Sequence, residues 1–238
     1  MPVDPTLYRR HRFPAEIISY AVWLYFRFHL SHRDAEEVLA ERGIRVSYEA
    51  IRLWCRKFGP DYTDQLRRRR PCPADKWYVD EMQLKICGEK CWLWRAVDQD
   101  GLVLDILVQQ RRNEQAAVAF LRRVLAAAGG APRVIVTDKF ASCVPAVKRV
   151  VPTAEHRRHK RLNNRVENSH LPVRKRERVL QRFKSAEHAQ SFLEPFSAVC
   201  NQFRPRRHRL SAQHYREIMQ HASAPGGRWS AWRRAHGR

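Results

Sequence analysis

At 238 residues the chain is long enough to bury a real core and to hold one medium domain beside a smaller module. It carries 46 Lys and Arg against 24 Asp and Glu, a formal net charge of +22 with a pI near 10.7. That excess is far beyond what solubility requires, so a polyanionic partner is expected. The most apolar stretch, Ile17 to Phe26, is about half the length a bilayer-spanning helix needs and is broken by Arg27 and His29, which excludes a membrane segment there.

The charge is unevenly placed. Residues 1–76 hold 15 basic and 10 acidic side chains, residues 77–155 hold 11 and 9, and residues 156–238 hold 20 and 5. A nearly neutral middle is thus flanked by basic regions, and an excess of 15 over 83 residues is too large for an ordinary solvated face. It is the footprint of nucleic-acid binding. The six cysteines (Cys55, Cys72, Cys87, Cys91, Cys143, Cys200) form no CxxC pair and follow nothing that reads as a signal peptide, so reduced thiols are expected.

The first helix is expected from Pro14 to near His29. Ser31 with Asp34 forms a capping-box start for a second helix, Arg33 to Glu41, which Gly43 ends. Ser47 is a natural N-cap for a third helix reaching Phe58. On it Ile51, Trp54, Cys55 and Phe58 share one face, while Tyr48, Arg52 and Arg56 share the opposite one. Helix, turn with glycine, then helix with an outward basic and aromatic face predicts a helix-turn-helix. Arg52 and Arg56, with Tyr48 beside them, would face base edges or phosphates, and Arg45 and Lys57 the backbone. Gly59-Pro60 is expected to close this module, and the segment through the arginine run 67–70 to Pro73 to be a basic linker.

From Trp77 the pattern changes to strands. Trp77 to Lys85 turns at Gly88 into Cys91 to Val97, and Asp100-Gly101 leads to Leu102 to Val108. A helix follows from Asn113 to Ala128, then a short buried strand, Arg133 to Thr137, ending in Asp138. Three antiparallel strands, a helix and a further strand is the order of the ribonuclease H-like fold. In such a sheet the first and fourth strands are neighbours, so Asp80 and Asp138 can meet. Two carboxylates in close approach repel unless a cation lies between them, and an oxygen-only site selects Mg2+ or Mn2+. Asp98, Asp100 and Asp105 flank hairpins and are expected to be structural.

A third acidic ligand should come from a helix near those strand ends. After Asp138 only Glu155 and Glu167 precede the basic run Arg174 to Arg178, and Glu155 falls in the expected fifth strand. Glu167 follows Asn163-Asn164, which would cap a helix, and stands as an isolated acid among arginines. Seven residues on, Arg174 could hold a DNA phosphate. Lys139, Asn163, Asn164 and Lys175 join it as candidate DNA contacts around the carboxylates. Two ions held by Asp80, Asp138 and Glu167 would activate a water or a DNA 3'-hydroxyl and stabilise the leaving oxygen, with no covalent enzyme intermediate. His156, His159 and His170 lack a cysteine partner at zinc spacing and are expected to contact phosphate or cap the helix.

At these residues the chain resembles the insertion-sequence family six transposases of bacteria and archaea. The likeness lies in Trp77-x-x-Asp80-Glu81, Leu93-Trp94-Arg95-Ala96-Val97-Asp98, Asp105-Ile106-Leu107-Val108, Thr137-Asp138-Lys139 and Leu162-Asn163-Asn164-Arg165-x-Glu167-Asn168-Ser169-His170. The resemblance implies a catalytic triad of Asp80, Asp138 and Glu167, with Arg174 in the basic position seven residues after the glutamate. It also implies binding of terminal inverted repeats and replicative transposition through a cointegrate. Tyr78, Met82 and Ala141-Ser142-Cys143 depart from the family pattern, and the 29 positions from Asp138 to Glu167 are fewer than in some members. None of these changes removes an expected ligand.

The expected division is a helix-turn-helix module over 1–60, a basic linker over 61–75, a ribonuclease H-like catalytic core over 76–182 and a helical basic region over 183–238. The expected partners are double-stranded DNA, as transposon ends and as target, and a second copy of the chain or more on that DNA. No membrane and no small-molecule substrate is expected, and the location is cytoplasmic, with the nucleoid of a prokaryote. The alternative is a DNA-binding regulator, or a decayed transposase without catalysis.

Overall fold

Serine caps set where the N-terminal helices begin. In the computed structural model, which describes residues 8–138, 142–158, 164–180, 183–203 and 211–223, α1 (Ala15–Arg27) is followed by α2 (His32–Ala40) and α3 (Tyr48–Arg69). Ser31 Oγ accepts from the Asp34 N–H at 3.1 Å while Asp34 Oδ2 accepts from the Ser31 N–H at 2.7 Å, closing the expected capping box. Gly43, at φ +75°, makes the left-handed turn out of α2, and Ser47 caps α3.

The third helix does not stop at Gly59-Pro60. It runs to Arg69, so most of the segment expected as linker is helical. The apolar stripe explains this, because Tyr62 and Leu66 extend the series set by Trp54 and Phe58 at four-residue steps, and all are buried. Proline removes one helical hydrogen bond, and Thr63 Oγ1 donates to the Gly59 carbonyl at 2.9 Å within the same turn. Gly59 also allows close packing, since a Cβ there would lie 3.3 Å from the Pro195 ring.

The chain falls into two compact units: the described residues up to Pro71 with those from Pro195 onward, and Cys72–Glu194. The expected C-terminal region therefore divides inside α7 (Ala186–Phe203), and α8 (Ala212–Ser223) belongs with the N-terminal helices. Among the described residues no helix is long and apolar enough to cross a membrane. All six cysteines are free thiols.

The second unit is a five-stranded sheet in the order β3-β2-β1-β4-β5. Strands β1 (Lys76–Ile86), β2 (Glu89–Asp98) and β3 (Val103–Gln109) are antiparallel, and β4 (Val134–Thr137) and β5 (Glu155–Arg158) run parallel to β1. This topology is ribonuclease H-like. Cys87 and Gly88, both at positive φ, form the two-residue turn between β1 and β2. Helices α4 (Glu114–Ala128) and α5 (Cys143–Val150) bury Phe120, Leu121, Val124, Ala146 and Val147 against Trp77, Val79, Trp94 and Ala96 on one face of the sheet. Helix α6 (Asn164–Val179) packs on β1 and β2. At the β3 edge, Gln190 of α7 accepts from the Val108 N–H at 2.8 Å and donates to the Ile106 carbonyl at 3.2 Å, pairing backbone groups an edge strand leaves open.

Asp98 and Asp105 have structural partners. Arg123 Nε lies 2.6 Å from Asp105 Oδ2, and buried Asp98 accepts from the N–H groups of Ala74, Asp100 and Leu102 at 3.1, 2.8 and 2.9 Å. Three donors converging on one carboxylate hold both the entry to β1 and the β2–β3 turn. Asp98→Ala should therefore cost about 2 to 4 kcal/mol, read as a lowered urea midpoint, because it orphans those donors. A shift under about 0.5 kcal/mol would mean that the turn does not depend on them.

Candidate active site

Strand register creates the site. The β1–β4 ladder pairs Val79 with Thr137 and ends there, so Asp80 and Asp138 are the next residues on two parallel neighbours that have just stopped pairing. One carboxylate oxygen from each of Asp80, Asp138 and Glu81 lies within 4.8 Å of the other two. The two sequence-predicted aspartates are thus brought together, and Glu81, for which the sequence suggested no role, joins them. Three carboxylate oxygens from the described residues suit a hard divalent cation.

Glu81 is reached from the α4 side. Its Oε1 accepts from Arg112 Nε at 2.7 Å and also from the Arg112 terminal nitrogen, and the Arg112 guanidinium lies 4.7 Å from the Trp92 ring centroid. Burial pushes the Glu81 carboxyl up to about 7, against the pull of Arg112 and with further upward pressure from Asp138 and Asp80. Cys143, below the cluster on α5, is pushed up to about 12, first by burial and then by Glu81 and Asp138. Its thiol is no nucleophile at neutral pH.

Asp80 is approached from the other side by α6. His170 is buried, with Nε2 3.3 Å from Asp80 Oδ2. Burial holds the imidazole below its ordinary range, and Asp80 only partly offsets this, so His170 faces the carboxylate as a neutral ring. Buried there, it is placed neither to meet phosphate nor to cap the helix, contrary to expectation. Buried Arg95, opposite Asp80 in the β1–β2 register, donates through Nε to Ser169 Oγ at 2.9 Å and ties α6 to β2 beside the cluster. His156 Nε2 lies 2.9 Å from Thr137 Oγ1, whose own hydrogen bond goes to the Asp138 carbonyl, so the histidine is the donor and holds the end of β4.

Glu167 belongs to α6, one turn before His170; its side chain lies outside the described residues, as does that of Asn164. Lys139, His159 and Asn163 also lie outside them. Arg174 and Lys175 are exposed on α6. Glu155 pairs with Val134 at the beginning of β4, about 10 Å along the strand from Thr137. It forms an ion pair with Arg157 instead. In the first unit Arg45, Tyr48, Arg52, Arg56 and Lys57 are all exposed, with Arg52 held by Glu49 at 2.5 Å and Arg33 lying over the Tyr48 ring.

A family model described as a DDE domain matches residues 74–206, more than half of the chain and all of the carboxylate cluster. The transposase of the insertion sequence-like element IS431mec from Staphylococcus aureus is 29% identical over 197 residues, spanning 81% of this chain and 88% of that protein. The transposase of element IS257 in transposon Tn4003, also from Staphylococcus aureus, matches to the same extent. The chain belongs to the insertion-sequence family six DDE transposases. Among solved structures, this transposase is similar to the HTLV-2 integrase catalytic core domain in complex with magnesium, with a TM-score of 0.44 at 15% identity over 56% of this chain and 88% of that one. It is also similar to the catalytic domain of Mos1 mariner transposase, with a TM-score of 0.40 at 16% identity over 73% of this chain and 92% of that one. Membership of the DDE transposase family makes it a DNA strand-cleaving and strand-transferring enzyme, and its own strand order gives it the ribonuclease H-like core.

Like charges within 4.8 Å cost the metal-free transposase about 3 kcal/mol per ionised pair at an effective dielectric of ~20. Without divalent cation at about pH 8, Asp138→Asn should melt a few degrees above the wild type. With MgCl2 at about 10 mM the wild type should gain stability and the variant should not, reversing the order. A thermal scan in which both respond equally to Mg2+ would place the binding elsewhere.

Proposed function

We propose that this transposase binds the terminal inverted repeats of its element and that Asp80, Asp138 and Glu167 hold two Mg2+ or Mn2+ ions for cleavage and joining of the ends. The observation that carries this reading is the meeting of Asp80 and Asp138 where the β1–β4 ladder ends. Glu167 is assigned as third ligand because His170, one turn later on α6, contacts Asp80, and residues three apart share a helical face. Bound there, the ions would activate a water or 3'-hydroxyl and stabilise the leaving oxygen of an in-line displacement. The chain's own part is to place three carboxylates, to exclude competing nucleophiles and to hold the DNA. Arg174 and Lys175, exposed on α6, supply phosphate contacts beside the cleft, with Lys139, Asn163 and Asn164 completing that set.

The α2–α3 pair acts as a helix-turn-helix. Tyr48, Arg52 and Arg56 lie on the exposed side of α3, away from the buried Ile51, Trp54, Cys55 and Phe58, and Arg45 and Lys57 flank them. Arg52 would exchange its exposed Glu49 partner for a base or phosphate at little cost. Joining requires two ends in one complex, so the active form is a homodimer or larger on DNA, and the route is replicative through a cointegrate. The enzyme works in the cytoplasm at the nucleoid.

Exchanging Arg52 and Arg56 for Ala should weaken binding to the element's ends by roughly 1 to 3 kcal/mol for each base-edge hydrogen-bonding pair removed. Mobility shift at wild-type strength would move the reading surface to another helix. Glu167→Gln keeps the size of the side chain and removes one ligand charge, so end binding should stay within a few-fold while cleavage and joining in Mg2+ disappear. Glu155→Gln, at the far end of β5, should retain both. Substantial strand joining by purified E167Q would remove Glu167 from the site.

A further inference from the structure

Glu81 is buried in a way that its ion pair alone does not explain. Its side chain is 2% exposed, Oε1 receives Arg112, and Oε2 is sealed from solvent with no hydrogen-bond partner. A partner for Arg112 could be met by any carboxylate at the surface. It needs neither a second oxygen buried without a donor nor two further carboxylates within 4.8 Å. A buried acceptor left without a donor is destabilising unless something else occupies it, and a cation satisfies the orphaned oxygen and the repulsion together.

We propose that Glu81 is a fourth acidic residue of the metal site, its carboxylate gripped on one oxygen by Arg112 and offered on the other to a divalent cation shared with Asp80 and Asp138. This rests on the reading that those two aspartates hold metal. Successive strand residues face opposite sides of a sheet, so Asp80 enters from the α6 side and Glu81 from the α4–α5 side. Because β4 stops pairing at Thr137, the two sides open into one gap, and a cation there is held from both. Arg112 acts as a positioning residue. Its guanidinium donates two N–H groups to Oε1 and lies over Trp92, which fixes the carboxylate before metal arrives.

The test titrates the full-length chain with Mn2+ and follows the electron paramagnetic resonance signal of free Mn2+, with circular dichroism to show that each variant is folded. Glu81→Gln and Asp80→Asn should each weaken Mn2+ binding by roughly tenfold or more. Should E81Q fail to fold, Glu81→Asp decides in its place, since it keeps the charge opposite Arg112 but withdraws the carboxylate by one methylene, and the same loss is expected. Mn2+ affinity within twofold of wild type in the folded Glu81 variant, with D80N impaired, would overturn the role of Glu81 alone. Wild-type affinity in D80N as well would overturn the metal site on which it rests.

Discussion

The parallel pairing of β1 with β4, and the point at which it ends, is the constraint on which the rest of the core depends. Four buried residues, Val134 to Thr137, are enough to seat β4 beside β1, and the ladder closes at Val79 and Thr137. One residue further along each strand stands an aspartate. Had β4 paired for two residues more, Asp80 would have had a backbone neighbour and no gap, and Glu81 would have stayed sealed on the opposite face. The short strand leaves a gap at the carboxyl end of β4, midway along β1, and α/β sheets place their ligands beyond such strand ends.

Holding carboxylates together without a cation is unfavourable, so the surroundings must fix what repulsion would spread apart. Each member of the cluster is tied differently. His156 pins the end of β4 through Thr137, Arg112 anchors Glu81, and His170 meets Asp80. Burial holds the His170 ring below its ordinary range, so it packs 3.3 Å from Asp80 without cancelling the charge that a cation would need. Arg95 carries a buried positive charge close by, but its Nε is directed to Ser169 and secures α6 to β2. Full charges on Arg112 and Arg95, directed to Glu81 and Ser169, and uncharged side chains packed next to the aspartates leave the cluster negative and held in place.

Much of this was legible in the sequence, for identifiable physical reasons. Caps at Ser31 and Ser47, the alternating strands from Trp77 and the buried run before Asp138 are local signals, and the structure places α2, α3 and β1 to β4 where they fall. Non-local packing was not legible. The α3 extension past Gly59-Pro60 depends on Tyr62 and Leu66 finding buried places, which outweighs the local disposition of Gly-Pro to end a helix. Helix α5 went unforeseen because its eight residues contain Pro145 and only a short apolar stripe. Glu81 was overlooked because strand alternation puts it opposite Asp80, and only the end of β4 brings both to one gap. His170 did carry a signal, its three-residue spacing from Glu167, but a buried histidine facing a carboxylate cannot be told from an exposed one by spacing alone.

The sign of the local charge then sets the order of events. A DNA phosphate approaching Asp80, Glu81 and Asp138 meets a negative cluster within a middle region whose net charge is only +2, while the flanking regions carry +5 and +15. The basic flanks attract a polyanion at long range, whereas the carboxylate cluster repels a phosphate in the absence of a cation. Helix α6 joins the two regimes. Val166, His170 and Val173 form its buried side, and Arg174, Lys175 and Arg178 are exposed. On the function proposed above, DNA held along that exposed side would lie next to a site closed to its phosphates until the carboxylates are neutralised. Helix α6 thus carries the contact to the carboxylate cluster on one side and exposed cations on the other, so the charge that attracts a phosphate and the charge that repels it lie on either side of one helix.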